Sequence, residues 1–338
     1  MTHTYRQSLN DMESFDEQTP GMWVWNADCA SRGALVTTAI GGSYLDDFVA
    51  YSLPFWKTYA DTHDLAIVVI HDQVVFGVTD SSENGAWLKL LAPRAVKNSL
   101  PLLTRIVLLD TDIIINPVAP NIFSECPQDD FGVVSLVNEI PFDLLVAKKR
   151  MAFLRHHFYS RQYPLDSSLF ATPKQEFEAE GLPPRDNFFC SGLVVVPQRN
   201  ADLMASWFAE AQLQGTANTT AWEQTFLNHK VSSHGCHWLP YEYQAIWNFE
   251  MAIHHPSAYA ASDLAGNPMA QGIVADTLVN NYFLHFAGSW HESRAWRNPP
   301  ELVIDNLLSL ATTKFEDFLR EPATGRHVGK SRPNSKQL

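Results

Sequence analysis

Short apolar runs alternate with amphipathic stretches along this chain, at a spacing that predicts repeated strand–helix units. Ala34 to Ile40 reads as a strand, Gly41-Gly42 as a turn, and Tyr44 to about Thr62 as an amphipathic helix. Leu65 to Ile70 (L-A-I-V-V-I) is a continuous apolar run, the kind buried on both faces of a parallel sheet. Ala86 to about Ser99 reads as a helix interrupted near Pro93, and Arg105 to Leu109 as a third strand. Two successive strand–helix–strand units imply right-handed crossovers and a doubly wound α/β sheet.

The pattern then changes. Phe131 to Val137 predicts a strand, Phe142 to about Tyr159 a helix, and Tyr163 to Asn187 a proline-rich connection. Ser191 to Val196 is another buried strand, followed by helices near Ala201–Gln212 and Ala221–His229. A region rich in Trp, Tyr and His from Cys236 to His255 leads to a strand, Tyr282 to Phe286, and a C-terminal helix, Pro300 to Arg320. Residues 1 to about 32 are polar and acidic and read as an extension; 33–320 reads as one unit, and 321–338 as a polar, disordered tail.

Composition narrows the partners. With 46% hydrophobic residues in 338, a large core is easily built, and ten tryptophans suggest that some line a concave, amphipathic surface. A net charge of −13 argues against nucleic acid, whose phosphates require clustered Lys and Arg. No apolar run approaches the roughly 18 residues of a membrane span, so no integral membrane segment is expected. The acidic N-terminus lacks a signal-peptide apolar region. Cys29, Cys126, Cys190 and Cys236 lie far apart, as expected of reduced thiols in a cytoplasmic protein. His234, Cys236 and His237 lie close together but lack a fourth ligand at zinc spacing.

The chemistry concentrates in Arg105 to Pro117, R-I-V-L-L-D-T-D-I-I-I-N-P. Two carboxylates, Asp110 and Asp112, sit between apolar runs, where burying them ionised costs several kcal/mol unless a cation compensates. Two strand-end carboxylates can reach one hard divalent cation and leave other positions to phosphate oxygens. In open α/β sheets ligands also bind at the carboxyl ends of strands. The alternative is a solvated turn, since D-x-D arises by chance about once in a chain this long.

Other motifs follow in order: V-T-T-A-I-G-G-S-Y at Val36–Tyr44, L-L-D-T-D-I-I-I-N-P at Leu108–Pro117, C-S-G-L-V-V-V-P at Cys190–Pro197, W-E-Q-T-F-L-N at Trp222–Asn228, and H-F-A-G at His285–Gly288. The set resembles GT-A-fold glycosyltransferases, above all the retaining group that includes glycogenin, galactinol synthases and bacterial galactosyltransferases, over about Gly33 to Trp296. The resemblance implies a mixed, mainly parallel Rossmann-like sheet flanked by helices. It also implies hexosyl transfer from a nucleotide-diphosphate sugar, a UDP-sugar foremost, to a carbohydrate or other hydroxyl acceptor.

By that resemblance Asp110, Asp112 and His285 hold Mn²⁺ or Mg²⁺, the imidazole favouring Mn²⁺. Thr37, Thr38 and Tyr44 flank the nucleotide, with Tyr44 over the base. Lys89 points at the donor, as do Asp110, Ser191 and Gly192. Glu223 accepts sugar hydroxyls, and Gln224 stands beside the anomeric carbon, where it can stabilise an oxocarbenium-like transition state. This chain departs from the family in two places. Cys190-Ser191-Gly192 replaces Asn-Ala-Gly. The Lys-Pro-Trp after H-F-x-G is absent, which leaves His291, Arg294 or Arg297 to neutralise phosphate. Two readings compete: a sugar-nucleotide pyrophosphorylase, although Gly41-Gly42-Ser43-Tyr44 lacks the arginine of its signature, and a non-catalytic carbohydrate-binding protein.

Overall fold

The computed structural model of the chain describes residues 14–29, 32–41, 44–77, 85–159, 169–214, 223–257 and 268–287. The strands are β1 (Asp16–Thr19), β2 (Met22–Trp25), β3 (Ala34–Thr38), β4 (Ala66–Ile70), β5 (Arg105–Leu109), β6 (Ile113–Ile115), β7 (Phe131–Val134), β8 (Leu193–Pro197), β9 (Cys236–Leu239), β10 (Ala245–Ile246) and β11 (Phe283–His285). The longer helices are α1 (Leu53–His63), α2 (Ala92–Ser99), α3 (Leu144–Tyr159), α4 (Pro173–Ala179), α5 (Ala201–Leu213), α6 (Glu223–His234), α7 (Trp247–His254) and α8 (Pro268–Asn280).

Eight strands form one mixed sheet in the order β1-β2-β4-β3-β5-β8-β7-β9, and a small sheet runs β10-β11-β6. The centre of the large sheet, β4-β3-β5, is parallel. Its strands are buried on both faces, so alternate residues feed different cores. Val36, Val68 and Leu108 pack on one side with Trp87, Val96, Met204 and Leu227. Leu35, Ile67 and Val107 pack on the other with Trp56, Tyr59 and Phe283. A third core lies between the small sheet and α3, α7 and α8, around Ile114, Met151, Trp247 and Leu278.

Three features depart from the sequence reading. The stretch ahead of Gly33 is not wholly an extension: β1 and β2 form a hairpin, and β2 pairs antiparallel with β4 from Met22↔Ile70 to Trp25↔Ile67. Met22-Trp23-Val24-Trp25 supplies the apolar residues, and Pro20-Gly21, with Gly21 at φ +86°, supplies the turn that only glycine adopts readily. The proline-rich connection contains α4, whose Thr172 and Gln175 form a capping box. The aromatic-rich region folds into β9, β10 and α7.

Among the described residues, half of the chain's ten tryptophans serve the core. Trp25, Trp56, Trp87, Trp207 and Trp247 are buried in the cores, where their large rings fill volume. The expected helix at 300–320 and the tail lie outside the described residues.

Candidate active site at the end of β5

β5 ends at Leu109 and β6 starts at Ile113, so Asp110, Thr111 and Asp112 form the step from the large sheet to the small one. Backbone bonds pin that step on both sides. The Asp110 N–H donates to the Gly192 carbonyl at 2.9 Å, and the Phe286 N–H to the Asp112 carbonyl at 3.1 Å. Behind it, the helix before α1 passes through a π-turn, Phe48–Ser52, which brings the buried Ser52 hydroxyl onto the Thr111 carbonyl at 2.7 Å. The Trp56 indole donates to the Ile113 carbonyl at 2.8 Å.

His285 ends β11, opposite Ile113 in the register, and so arrives beside the aspartates from the neighbouring strand. Its Nε2 lies 3.3 Å from Asp112 Oδ1 and 3.7 Å from Asp110 Oδ2. One ligand atom from each of Asp110, Asp112 and His285 falls within 4.8 Å of the others. Gly192 makes this approach feasible, because a Cβ there would stand 2.2 Å from His285 Cε1. Two carboxylate oxygens and one imidazole nitrogen suit a divalent cation of borderline hardness.

A second cluster adjoins the first. Lys89 follows the single helical turn Gly85–Leu88 and is buried, not an exposed helix lysine. Its ammonium donates to Asp110 Oδ1 at 2.9 Å and pairs with Glu223 Oε1 at 2.8 Å. Burial alone would lower its pKa, but the two carboxylates outweigh it and hold the pKa well above the ordinary lysine value. Asp110 thus divides its oxygens, one toward Lys89 and one toward His285.

Burial alone would lower the His285 pKa, but Cys190 and Asp112 outweigh it and hold it well above 6.5. A cation on Nε2 would take the place of that proton. The ionised Asp110, Asp112 and Glu223, the charged Lys89 and the then neutral imidazole carry a formal charge of −2, which one divalent cation cancels. Glu223 opens α6 as a buried carboxylate; its Oε1 also accepts from the Ser191 hydroxyl at 2.8 Å. Gln224 Oε1 accepts from the Ser191 N–H at 3.1 Å. Asn228, one turn further along α6, pairs with both backbone groups of Phe189 at 2.8 Å and locks α6 to the strand entry.

The nucleotide candidates relate to this core in different ways. Thr37 and Thr38 end β3; Thr38 and Lys89 line a small polar pocket with Asp110 and Ser191. Thr37 is buried. Tyr44 is 54% exposed, so its ring is open to a partner. His291, Arg294 and Arg297 lie outside the described residues, as do Trp222 and Gly288.

The sequence reading missed Gln244, buried beside His285 Nδ1 at 3.2 Å, and the Cys190 thiol, 3.6 Å from the same nitrogen. It also missed Ser52 and the clamp made by Asn228. Only Asn228 and Cys190 fell inside a motif that drew attention.

No family model matches the chain, and no curated protein matches it either. Solved structures do. A glycosyltransferase involved in glycosylation of the major capsid of PBCV-1 is 10% identical, with a TM-score of 0.46 over 78% of this chain and 98% of that one. The galactosyltransferase LgtC, in complex with donor and acceptor sugar analogs, is 11% identical, with a TM-score of 0.43 over 83% and 95%. The bifunctional glycosyltransferase WbbM is 11% identical, with a TM-score of 0.42 over 82% of this chain and 51% of that one.

Proposed function

We propose that this chain is a metal-dependent hexosyltransferase of the GT-A type, using a nucleotide-diphosphate sugar, a UDP-sugar foremost, and a hydroxyl acceptor, with retention of configuration. The observation that carries the reading is the meeting of Asp110, Asp112 and His285 beside the Lys89–Glu223–Ser191–Gln224 cluster. Asp110, Asp112 and His285 would hold a divalent cation, Mn²⁺ before Mg²⁺, which would supply Lewis-acid stabilisation of the diphosphate leaving group.

The other roles belong to the chain itself. Lys89 holds Asp110 and Glu223 in place and keeps the site from accumulating negative charge. Tyr44, exposed after β3, is assigned as the stacking face for the base, Thr38 lines the pocket beside Lys89, and the buried Thr37 supports the strand end beneath the nucleotide site through its backbone. Ser191 and Gly192 form the floor under the donor. Glu223 and Gln224 contact the sugar, Gln224 on its reacting face. His291 and Arg294 are assigned to the phosphates. Retention is supported by the state of Glu223, which already accepts from Lys89 and Ser191 and is poorly suited to deprotonating an incoming acceptor.

The test is hydrolysis and transfer with a panel of nucleotide sugars, with Mn²⁺ and in excess EDTA, followed by NMR of the first-formed anomer. Turnover that needs Mn²⁺ and gives an α-product from an α-donor is expected. A β-product would move the search to Asp186 and Glu242. Sugar-1-phosphate and nucleoside triphosphate as reactants would identify a pyrophosphorylase, and sugar binding without turnover a non-catalytic protein.

A further inference from the structure

Gln244 ends the turn Tyr241–Gln244 and is buried where three polar groups converge on its amide. The Leu193 backbone N–H, 2.9 Å away, can only donate, so the amide atom facing it is the oxygen. The nitrogen then faces the Cys190 carbonyl at 3.2 Å, which can only accept. With the oxygen so fixed, the third neighbour, His285 Nδ1 at 3.2 Å, pairs with it only by presenting a proton; the Cys190 sulfur, 3.6 Å from the same nitrogen, is a longer and weaker partner. A neutral imidazole with its proton on Nδ1 has its lone pair on Nε2, the nitrogen that faces Asp110 and Asp112.

We infer that Gln244 is the positioning residue of the metal site: through the Leu193 N–H it sets the tautomer and orientation of His285, and so reserves Nε2 for a divalent cation. The inference rests on the metal reading above and names the residue that makes it work. The choice of an amide has its own consequence. A carboxylate at this position would orient the ring equally well and make it a stronger ligand, but would add a negative charge where a diphosphate must enter. An amide orients His285 without charge, so the site with its cation stays near neutrality toward the donor.

Mn²⁺ affinity, measured by electron paramagnetic resonance without donor, tests the inference on the full-length chain. Wild type should bind, Asp112→Asn should lose binding, and Gln244→Ala should weaken it by about 10- to 100-fold. Gln244→Glu should restore or exceed wild-type affinity while weakening UDP binding at saturating Mn²⁺. Wild-type affinity in a folded Gln244→Ala, with Asp112→Asn still defective, would overturn the role of Gln244 and leave the metal site standing. If Gln244→Ala does not fold, Gln244→Glu decides alone: Mn²⁺ and UDP affinities both equal to wild type would overturn the inference. Failure of wild type to take up Mn²⁺ would overturn the metal reading and this inference with it.

Discussion

Lys89 ties the metal candidates to the α6 carboxylate, because it pairs with both Asp110 and Glu223. A buried ammonium is tolerated because two carboxylates accept from it, and removing one member of such a group leaves the others uncompensated. Lys89→Met should therefore lower stability by about 3–5 kcal/mol, read as a fall in melting temperature. Millimolar Mn²⁺ should recover part of that loss by taking over the neutralisation. Because the Lys89 pKa is held above its unfolded value, its contribution is fully present below the ordinary lysine pKa and disappears only in strong alkali. At Asp112 and His285 the expectation concerns rate: Asp112→Asn and His285→Ala should each cut donor hydrolysis by about 100-fold. Gly192→Ala tests geometry without touching a ligand. Its methyl group would collide with His285, so Mn²⁺ affinity should collapse while the large sheet still folds, as circular dichroism would report.

At the level of elements, the hairpin at the sheet's edge is a structural part of the molecule. Met22, Val24 and Trp25 are buried, and Trp23 stacks on His71 with ring centroids 3.8 Å apart. Deleting residues 1–25 should uncover one edge of β4 and lower the melting temperature sharply. A silent deletion would return that stretch to the role of a mere extension. Central strands were legible because β4 is an unbroken apolar run and β3 and β5 each hold three or four consecutive apolar residues, and β5 pointed directly at the aspartates. The hairpin was overlooked because two four-residue strands joined by Pro20-Gly21 lie within acidic, polar sequence. α7 and β10 stayed hidden because Tyr241 to His254 buries polar residues (Gln244, Asn248 and Glu250) among its apolar ones, so neither period shows. Within the site, Asp110, Asp112 and His285 were readable from their motifs. Gln244 was not, because its importance comes from three backbone and ring partners distant in sequence.

For the whole molecule, charge and thiol chemistry give the clearest expectations. A protein of net charge −13 repels pyrophosphate, so UDP binding measured by calorimetry should require Mn²⁺ and vanish in EDTA. Burial pushes the Cys126 and Cys236 thiols up from 9.0 to about 11. Both should resist alkylation in the native protein at pH 8 and react once it is unfolded. The folded state keeps those protons after the unfolded chain has lost them. Their contribution to stability is thus complete below about pH 9 and is lost as pH rises toward 11.

The three metal candidates do not belong to one sheet. Asp110 extends a strand of the large sheet, while Asp112 and His285 border strands of the small one, and single amide bonds tie each side down: Asp110 to Gly192, and Phe286 to Asp112. A cation there would act as a rivet through a seam. Its arrival should be felt as mechanical stiffening, with hydrogen exchange at the Asp110 and Phe286 amides slowing on Mn²⁺ addition while the centre of β4 exchanges as before. Removing the ion with EDTA should return both amides to their faster exchange, so that the state of the joint between the two sheets reports whether the seam is filled.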